Sequence, residues 1–338
     1  MNMTIKDVAS KAGVSVTTVS HVINKTRFVS DELVERVTAA MEELHYQPNT
    51  LARSLRMGES KTIGLIVPDN SNPFFAEISR IVEDIGFEQG YNVFLCNSDG
   101  LIEKEAAYIK MLITKQVDGV VYIAAGSVQD HLLGLTVRGI PFVVVDRDLP
   151  GLEADLVMID NEQGGYDATR YLLDLGHKQI ACITGPSQLT PSAARVNGYR
   201  RALQESGLPV RGDFIVTGDF RARGGEMAMD TLLKIPDPPS AVFSCNDLMA
   251  IGALSALRKQ NIKAPQEISI IGFDDIDIAA QVVPALTTVA QPAAELATCA
   301  MELLLTRLLK GLPATEIKRQ VLHAKLVIRD SCAPYEEI

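Results

Sequence analysis

The sequence holds no apolar run able to cross a bilayer. The longest, such as residues 117–125, fall well short of the roughly 18 residues such a helix needs. The first residues, Met1-Asn2-Met3-Thr4-Ile5-Lys6-Asp7, contain no basic stretch feeding an apolar one. No export signal is read, so a cytoplasmic chain with no membrane partner is expected. Cysteine is scarce: Cys96, Cys182, Cys245, Cys299 and Cys332 are widely spaced, and no two stand at C-x-x-C or zinc-finger spacing. That excludes a disulfide framework and a structural metal, and leaves buried reduced thiols. No G-x-G-x-x-G follows the first strand and G-x-x-x-x-G-K-[ST] is absent, so dinucleotides and nucleoside triphosphates lack their phosphate cradle. G-x-S-x-G and H-E-x-x-H are missing too, and there are five histidines in all, so no enzyme, cofactor or metal is expected. Positive charge is also in deficit. Lys and Arg number 32 against 42 Asp and Glu, a formal net charge of −10, which over the whole chain argues against a polyanionic partner.

What is present changes that last inference. Hydrophobic residues at 47% and charged residues at 22% exclude disorder, and 338 residues imply two or three domains. The charge is unevenly spread. Residues 1–60 hold seven basic residues (Lys6, Lys11, Lys25, Arg27, Arg36, Arg53, Arg56) and seven acidic ones (Asp7, Asp31, Glu32, Glu35, Glu42, Glu43, Glu59). This head is neutral, and residues 61–338 carry the whole acidic excess. Most of the head's acids lie in its third helix, so a basic face remains available elsewhere.

Within the head, Thr4 is a good N-cap, and Ile5, Val8, Ala9 and Ala12 recur at helical spacing. Gly13-Val14 breaks that helix. Ser15 caps a second, running to about Asn24 with Val19, Val22 and Ile23 inward. Ser30 and Asp31 open a third, whose Leu33, Val34, Val37, Met41 and Leu44 close a small core before Tyr46-Gln47-Pro48 ends it. Two short helices about a tight glycine-containing turn form a helix-turn-helix. The start of its second helix enters the DNA major groove, where it presents Val16, Thr17, Thr18 and His21. Val16 suits a thymine methyl, and the threonines suit base edges or phosphates. Ser20, Asn24, Lys25 and Arg27 suit phosphates, which position without specifying, and Thr4 and Ser15 at the caps complete the DNA-contacting set.

Residues 49–56 (Asn49-Thr50-Leu51-Ala52-Arg53-Ser54-Leu55-Arg56) have a capping Asn and good helix formers, but the stretch is too short to be stable alone. Followed by the linker Met57-Gly58-Glu59-Ser60, it reads as a segment that is coil when free and helix when docked. Leu55, beside Arg56, would be an apolar wedge for the minor groove. An ordinary interdomain linker is the alternative.

Beyond residue 60 the pattern changes. Apolar strand-length runs at 62–68, 92–96, 119–124 and 142–145 alternate with helices at 73–89 and 103–114. The organisation restarts over 161–289, with helices at 164–175, 193–206 and 248–259 and strands at 180–184, 215–217, 241–244, 268–273 and 286–289. Alternation of this kind implies doubly wound parallel sheets, here in two lobes. Such lobes bind a ligand between them at the C-terminal strand ends. Just past those ends stand Asn72, Phe74, Phe75, Asp146, Arg147, Arg195, Phe220, Asn246, Asp274 and Gln291. Two carboxylates offset two guanidiniums, three carboxamides add paired donors and acceptors, and three phenyl rings give flat apolar faces. The set suits an uncharged sugar; a phosphosugar would need surplus positive charge.

The run from Thr4-Ile5-Lys6-Asp7-Val8-Ala9 through Val14-Ser15, Thr18–Lys25, Arg27-Phe28-Val29, Leu44-His45-Tyr46, Pro48 and Leu51–Leu55 resembles the head and hinge of the lactose/galactose repressor family. The resemblance extends over nearly the whole chain. Within the family the ribose operon repressors are expected to be nearest, with the purine repressors also close. One departure is Val16, where both of those carry Thr. The resemblance implies a helix-turn-helix domain at 1–48, a hinge at 49–60 and a sensing and dimerising domain at 61–338. The last would be built like a periplasmic sugar-binding protein, with an N-lobe of about 61–160 and 291–322 and a C-lobe of about 161–290 and 323–332. It implies that the ten strand-end residues contact ribose. A purine repressor needs an aromatic near Asn72, and Arg and Thr where this chain has Leu189 and Pro191; these are absent, so a purine corepressor is not expected. The expectation is a repressor that binds palindromic double-stranded operator DNA as a homodimer and is released when ribose closes the lobes. Another sugar, a nucleoside or a partner protein as effector stays open.

Overall fold

The computed structural model of the chain describes all residues except 1–2, 25, 48–58, 124–129, 150, 187–189, 311–315 and 337–338. It divides into two compact units, Met1–Ser60 and Lys61–Ile338. Leu55 and Arg56 lie outside the described residues.

The first unit is three helices: α1 (Ile5–Ala12), α2 (Val16–Asn24) and α3 (Asp31–Glu43). Thr4 starts α1 by donating its backbone N–H (2.8 Å) and hydroxyl (2.7 Å) to Asp7 Oδ2, bonds that hold the Asp7 carboxyl below its usual range. Gly13 ends α1 in the left-handed conformation, at φ 64°, that a side chain resists. Val8, Ala9, Ala12, Val19, Val37 and Ala40 are buried between the helices. This core is small, and polar ties between α1 and α3 supplement it: Arg36 donates to the Ala12 carbonyl at 2.6 Å, and Lys11 pairs with Glu43 at 2.7 Å.

The second unit contains two six-stranded sheets. The first orders its strands β11-β5-β4-β3-β1-β2, all parallel: β1 (Thr62–Val67), β2 (Asn92–Asn97), β3 (Gly119–Ile123), β4 (Phe142–Val145), β5 (Asp155–Ile159) and β11 (Arg319–Leu322). The second is ordered β12-β10-β9-β8-β6-β7, from β6 (Ile180–Thr184), β7 (Ile215–Thr217), β8 (Ala241–Ser244), β9 (Ser269–Asp274), β10 (Thr287–Ala290) and β12 (Lys325–Val327); only β12 is antiparallel to its neighbour. The central strands are buried from end to end, as helices on both faces require. These helices are α4 (Pro73–Glu88), α5 (Ile102–Thr114), α6 (Leu133–Arg138), α7 (Asn161–Asp174), α8 (Thr190–Glu205), α9 (Ala222–Leu232), α10 (Asp247–Lys259) and α11 (Ala293–Lys310).

The chain passes between the lobes three times: from β5 to α7, from β10 to α11 and from β11 to β12. Neither lobe is therefore one continuous segment. Helix α7 starts at Asn161, three residues before the sequence suggests, because the Asp160 side chain accepts from the Gln163 N–H at 2.9 Å. Helix α8 likewise begins at Thr190, with Pro191 in a first turn that needs no N–H from it. Among the described residues no helix is long and apolar enough to cross a membrane.

Candidate functional site

In the first unit, Ser15 caps α2 by accepting the Thr18 N–H at 3.0 Å, with their hydroxyls 2.8 Å apart. Both hydroxyls are thus partly engaged in building the helix. Val16 and Thr17 are exposed at its first turn, with Val16 at 41% an apolar side chain open to a partner. His21 Nδ1 lies 2.8 Å from the Thr26 hydroxyl, and Asn24 Nδ2 donates to the Ser20 carbonyl at 2.8 Å. Arg27 is exposed beyond the helix end. Replacing Arg27 with alanine should weaken operator and random-DNA binding alike. The slope of log affinity against log salt should become shallower by about one per head, as expected for one lost phosphate contact. A filter-binding salt series with an unchanged slope would remove Arg27 from the interface.

In the second unit, all ten strand-end residues line one cavity of about 660 Å³ between the two sheets. Asn72 and Asn246 are placed there by capping: Asn72 accepts from the Phe74 N–H at 3.1 Å and Asn246 from the Met249 N–H at 2.9 Å. Asn246 also donates to the Phe220 carbonyl at 2.9 Å, so it fixes Phe220 as well as facing the cavity. Phe74 and Phe75 meet edge to face, with ring centroids 5.2 Å apart. Asp146, Phe220 and Asp274 sit at φ 75°, 65° and 120°, a backbone region that side chains other than glycine occupy at a cost. That strain gathers at the cavity.

Arg195 is held from several sides. It donates to Asn161 Oδ1 at 2.8 Å and to the Cys245 carbonyl at 2.5 Å, lies over the Phe273 ring at 3.8 Å and stands 3.7 Å from Asp274 Oδ1. Arg147 is held by less: its Nη2 is 3.8 Å from Asp146 Oδ2, beyond hydrogen-bond reach. Asp146 Oδ1, Arg147 Nε and Nη1, and Gln291 Oε1 are buried without a hydrogen-bond partner. Gln291 donates one of its two amide protons to Asp274 at 2.5 Å.

The site is more acidic than the sequence suggests. Asp69, Asp99 and Asp219 also line the cavity, each two residues past the end of its strand, as Arg147 is. The same strand-end signal would have found all three. Across the mouth, Arg221 of the second lobe donates to Asp69 Oδ2 of the first at 3.0 Å. Behind Asp274 lies the buried Asp247, which accepts from the Thr288 hydroxyl and the Ile276 N–H and is itself pushed well up, first by burial and then by Asp274.

Burial raises Asp274 from 3.8 to about 7, against the opposing pull of Arg195 and Gln291. Its native pKa exceeds its unfolded one, so the native state holds the extra proton between those values, and this contribution to stability falls as pH rises from about 4 to 7. In unliganded Asp274→Asn, the melting temperature relative to the wild type should climb across that window and level off above it. A constant difference from pH 4 to 8 would show that Asp274 titrates normally.

A three-helix head with an exposed first turn on its second helix, followed in the chain by two α/β lobes around a cavity lined by charged, carboxamide and phenyl side chains, is the architecture of a DNA-binding regulator. Residues 4–49 match the family described as bacterial regulatory proteins, lacI family, and residues 60–307 match periplasmic binding proteins and sugar binding domain of LacI family. The chain belongs to the LacI family of transcriptional regulators, and it is a DNA-binding repressor of that family rather than an enzyme. It is 42% identical over 307 residues to the HTH-type transcriptional repressor PurR of Vibrio campbellii, covering 90% of this chain and 92% of that protein. Among solved structures it is similar to the lac repressor dimer bound to operator and the anti-inducer ONPF, with 26% identity, a TM-score of 0.88 and coverage of 98% of this chain and 100% of that one. It is also similar to a LacI family regulator of Enterococcus faecium with bound ribose, with 35% identity, a TM-score of 0.73 and coverage of 81% of this chain and 100% of that one. The PurR likeness does not carry the expectation that ribose operon repressors are nearest, nor that ribose is the effector.

Proposed function

We propose that the chain works in the cytoplasm, binds a palindromic operator as a homodimer, and is switched by a small uncharged ring molecule bearing hydroxyls, a sugar or a nucleoside, that closes the two lobes. One observation carries the effector reading: two open donors on Arg147 and two open acceptors, on Asp146 and Gln291, are buried at a cavity that also presents phenyl rings. Each hydroxyl of a polyol donates and accepts, so adjacent hydroxyls complement that set, while five aspartates against three arginines around the cavity oppose an anion. A nucleoside is favoured by size. Ten heavy atoms of a pentose, each allotted the volume of one water molecule in the liquid, fill about 300 Å³, less than half of the cavity. It also accords with the relatives named PurR. Ribose itself is the second reading, favoured by the ribose-bound relative from Enterococcus faecium.

Dimerisation is favoured by the small contact surface one head offers DNA. It is also favoured by exposed apolar side chains on both lobes, among them Phe94 and Leu95 on the edge strand β2 and Met227 and Val283 on the second lobe. Closure is proposed to separate paired hinge segments around Leu55. That coupling is worth about 5–150-fold in operator affinity, the usual range for linked sites. The deciding experiment is a thermal-shift screen of sugars, nucleosides and purine bases, followed by operator binding with and without the hit. A hit confined to free bases would overturn the hydroxyl reading. Leu55→Ala should lower operator affinity and leave effector affinity unchanged; equal loss of both would place Leu55 in the fold of the sensor instead.

A further inference from the structure

One cavity side chain is held by a sulfur atom that has no part in the binding scheme above. Phe220 lines the cavity from the second lobe at φ 65°, a conformation that a phenylalanine keeps only where its surroundings impose it. The start of α10 imposes it on both backbone groups of the residue. Asn246 donates from Nδ2 to the Phe220 carbonyl at 2.9 Å, and Met249 Sδ accepts the Phe220 N–H at 3.3 Å. The two tethers are locked to each other, since Asn246 Oδ1 accepts the Met249 N–H at 2.9 Å. Gly218 and Gly185 make the room. A Cβ at Gly218 would stand 2.5 Å from Met249 Sδ, so the sulfur lies against that backbone. A Cβ at Gly185 would stand 2.1 Å from Phe220 Cζ, so the ring rests on the chain just past β6.

Packing alone does not call for methionine here. Met249 is fully buried and does not line the cavity, and leucine fills nearly the same volume. What leucine lacks is a lone pair for an N–H that points at a buried atom. We infer that Met249 is a positioning residue for the effector. Its thioether fixes the Phe220 peptide, and with it the face that the ring presents to the bound molecule. That role rests on the cavity being the effector site.

Three variants of the full chain test it. Met249→Leu keeps the volume and drops the acceptor, Met249→Gln keeps an acceptor at similar reach, and Phe220→Ala removes the ring. Hydrogen exchange of the unliganded chain, resolved to the Phe220 amide, reads the tether with no ligand present. Exchange should quicken about fivefold in Met249→Leu, as for one lost hydrogen bond, and return toward the wild-type rate in Met249→Gln. Calorimetric titration with ribose and with adenosine into the millimolar range reads the consequence. Met249→Leu should weaken binding about fivefold, and Met249→Gln should restore most of the loss. In a Phe220→Ala background Met249→Leu should cost little more, because no ring is left to aim. Equal losses with and without the ring, or with leucine and glutamine alike, overturn the positioning role, and so does an unchanged exchange rate at Phe220. A wild type that binds neither probe overturns the cavity reading and with it the role toward the effector, even where the exchange rates show the tether.

Discussion

Replacing Arg147 with alanine is expected to raise the effector dissociation constant at least about a hundredfold, as truncating one member of a buried charged set does. The size of the effect follows from what the variant leaves behind. Two donors with no protein partner are lost, and Asp146 becomes a buried carboxylate with less compensation. The effector then meets acceptors facing acceptors. Operator binding without effector should persist, because Arg147 lies in the second unit, whereas the head is a separate one. Calorimetry with the thermal-shift hit, alongside operator release, checks both halves. Unchanged effector affinity would sink the assignment of the cavity.

The second large effect is on stability. Gly198 and Gly165 let α8 and α7 touch backbone to backbone. A Cβ at Gly198 would stand 2.0 Å from the Glu162 carbonyl oxygen, and one at Gly165 2.2 Å from the Arg195 carbonyl oxygen. Neither clash is with a side chain that could swing aside. Gly198→Val should therefore destabilise the second unit by about 3 kcal/mol or more, through forced separation of two packed helices. It should also cost effector affinity, because α8 carries Arg195 and α7 carries its partner Asn161. Urea unfolding followed by a probe in the second unit reads the first effect. A midpoint within error of the wild type would mean the helices lie further apart than described.

Much of this organisation was legible in the sequence, for identifiable reasons. The head announces itself because Thr4, Ser15 and Ser30 each stand immediately before a helix, with apolar residues at the matching spacing. The cavity residues were reachable because ligands of open α/β sheets gather at strand ends, and the long buried strands make those ends visible. The strands at the sheet edges were not legible. β11 and β12 have four and three residues, and most of them are at least partly exposed, so neither an apolar run nor a clean alternation marks them. Helix α11 carries apolar residues on most of its circumference and packs against α4 and the first sheet, a tertiary fact with weak periodicity in sequence. The backbone strain at Asp146 and Phe220 left no sign either, since neither residue is the glycine that φ above zero would suggest.

The threefold passage of the chain between its lobes has a consequence for biosynthesis. The helices of the head are complete by residue 43, but the first sheet lacks β11 until residue 322 has been made and the second lacks β12 until residue 327. At ordinary elongation rates, roughly 280 further residues take on the order of 14 to 56 s. For that interval a nascent chain carries a finished DNA reader and an unfinished sensor. If the chain pairs on its operator as proposed, a lone nascent head holds DNA weakly for want of a second head, and pairing is the control that acts before ligand control exists.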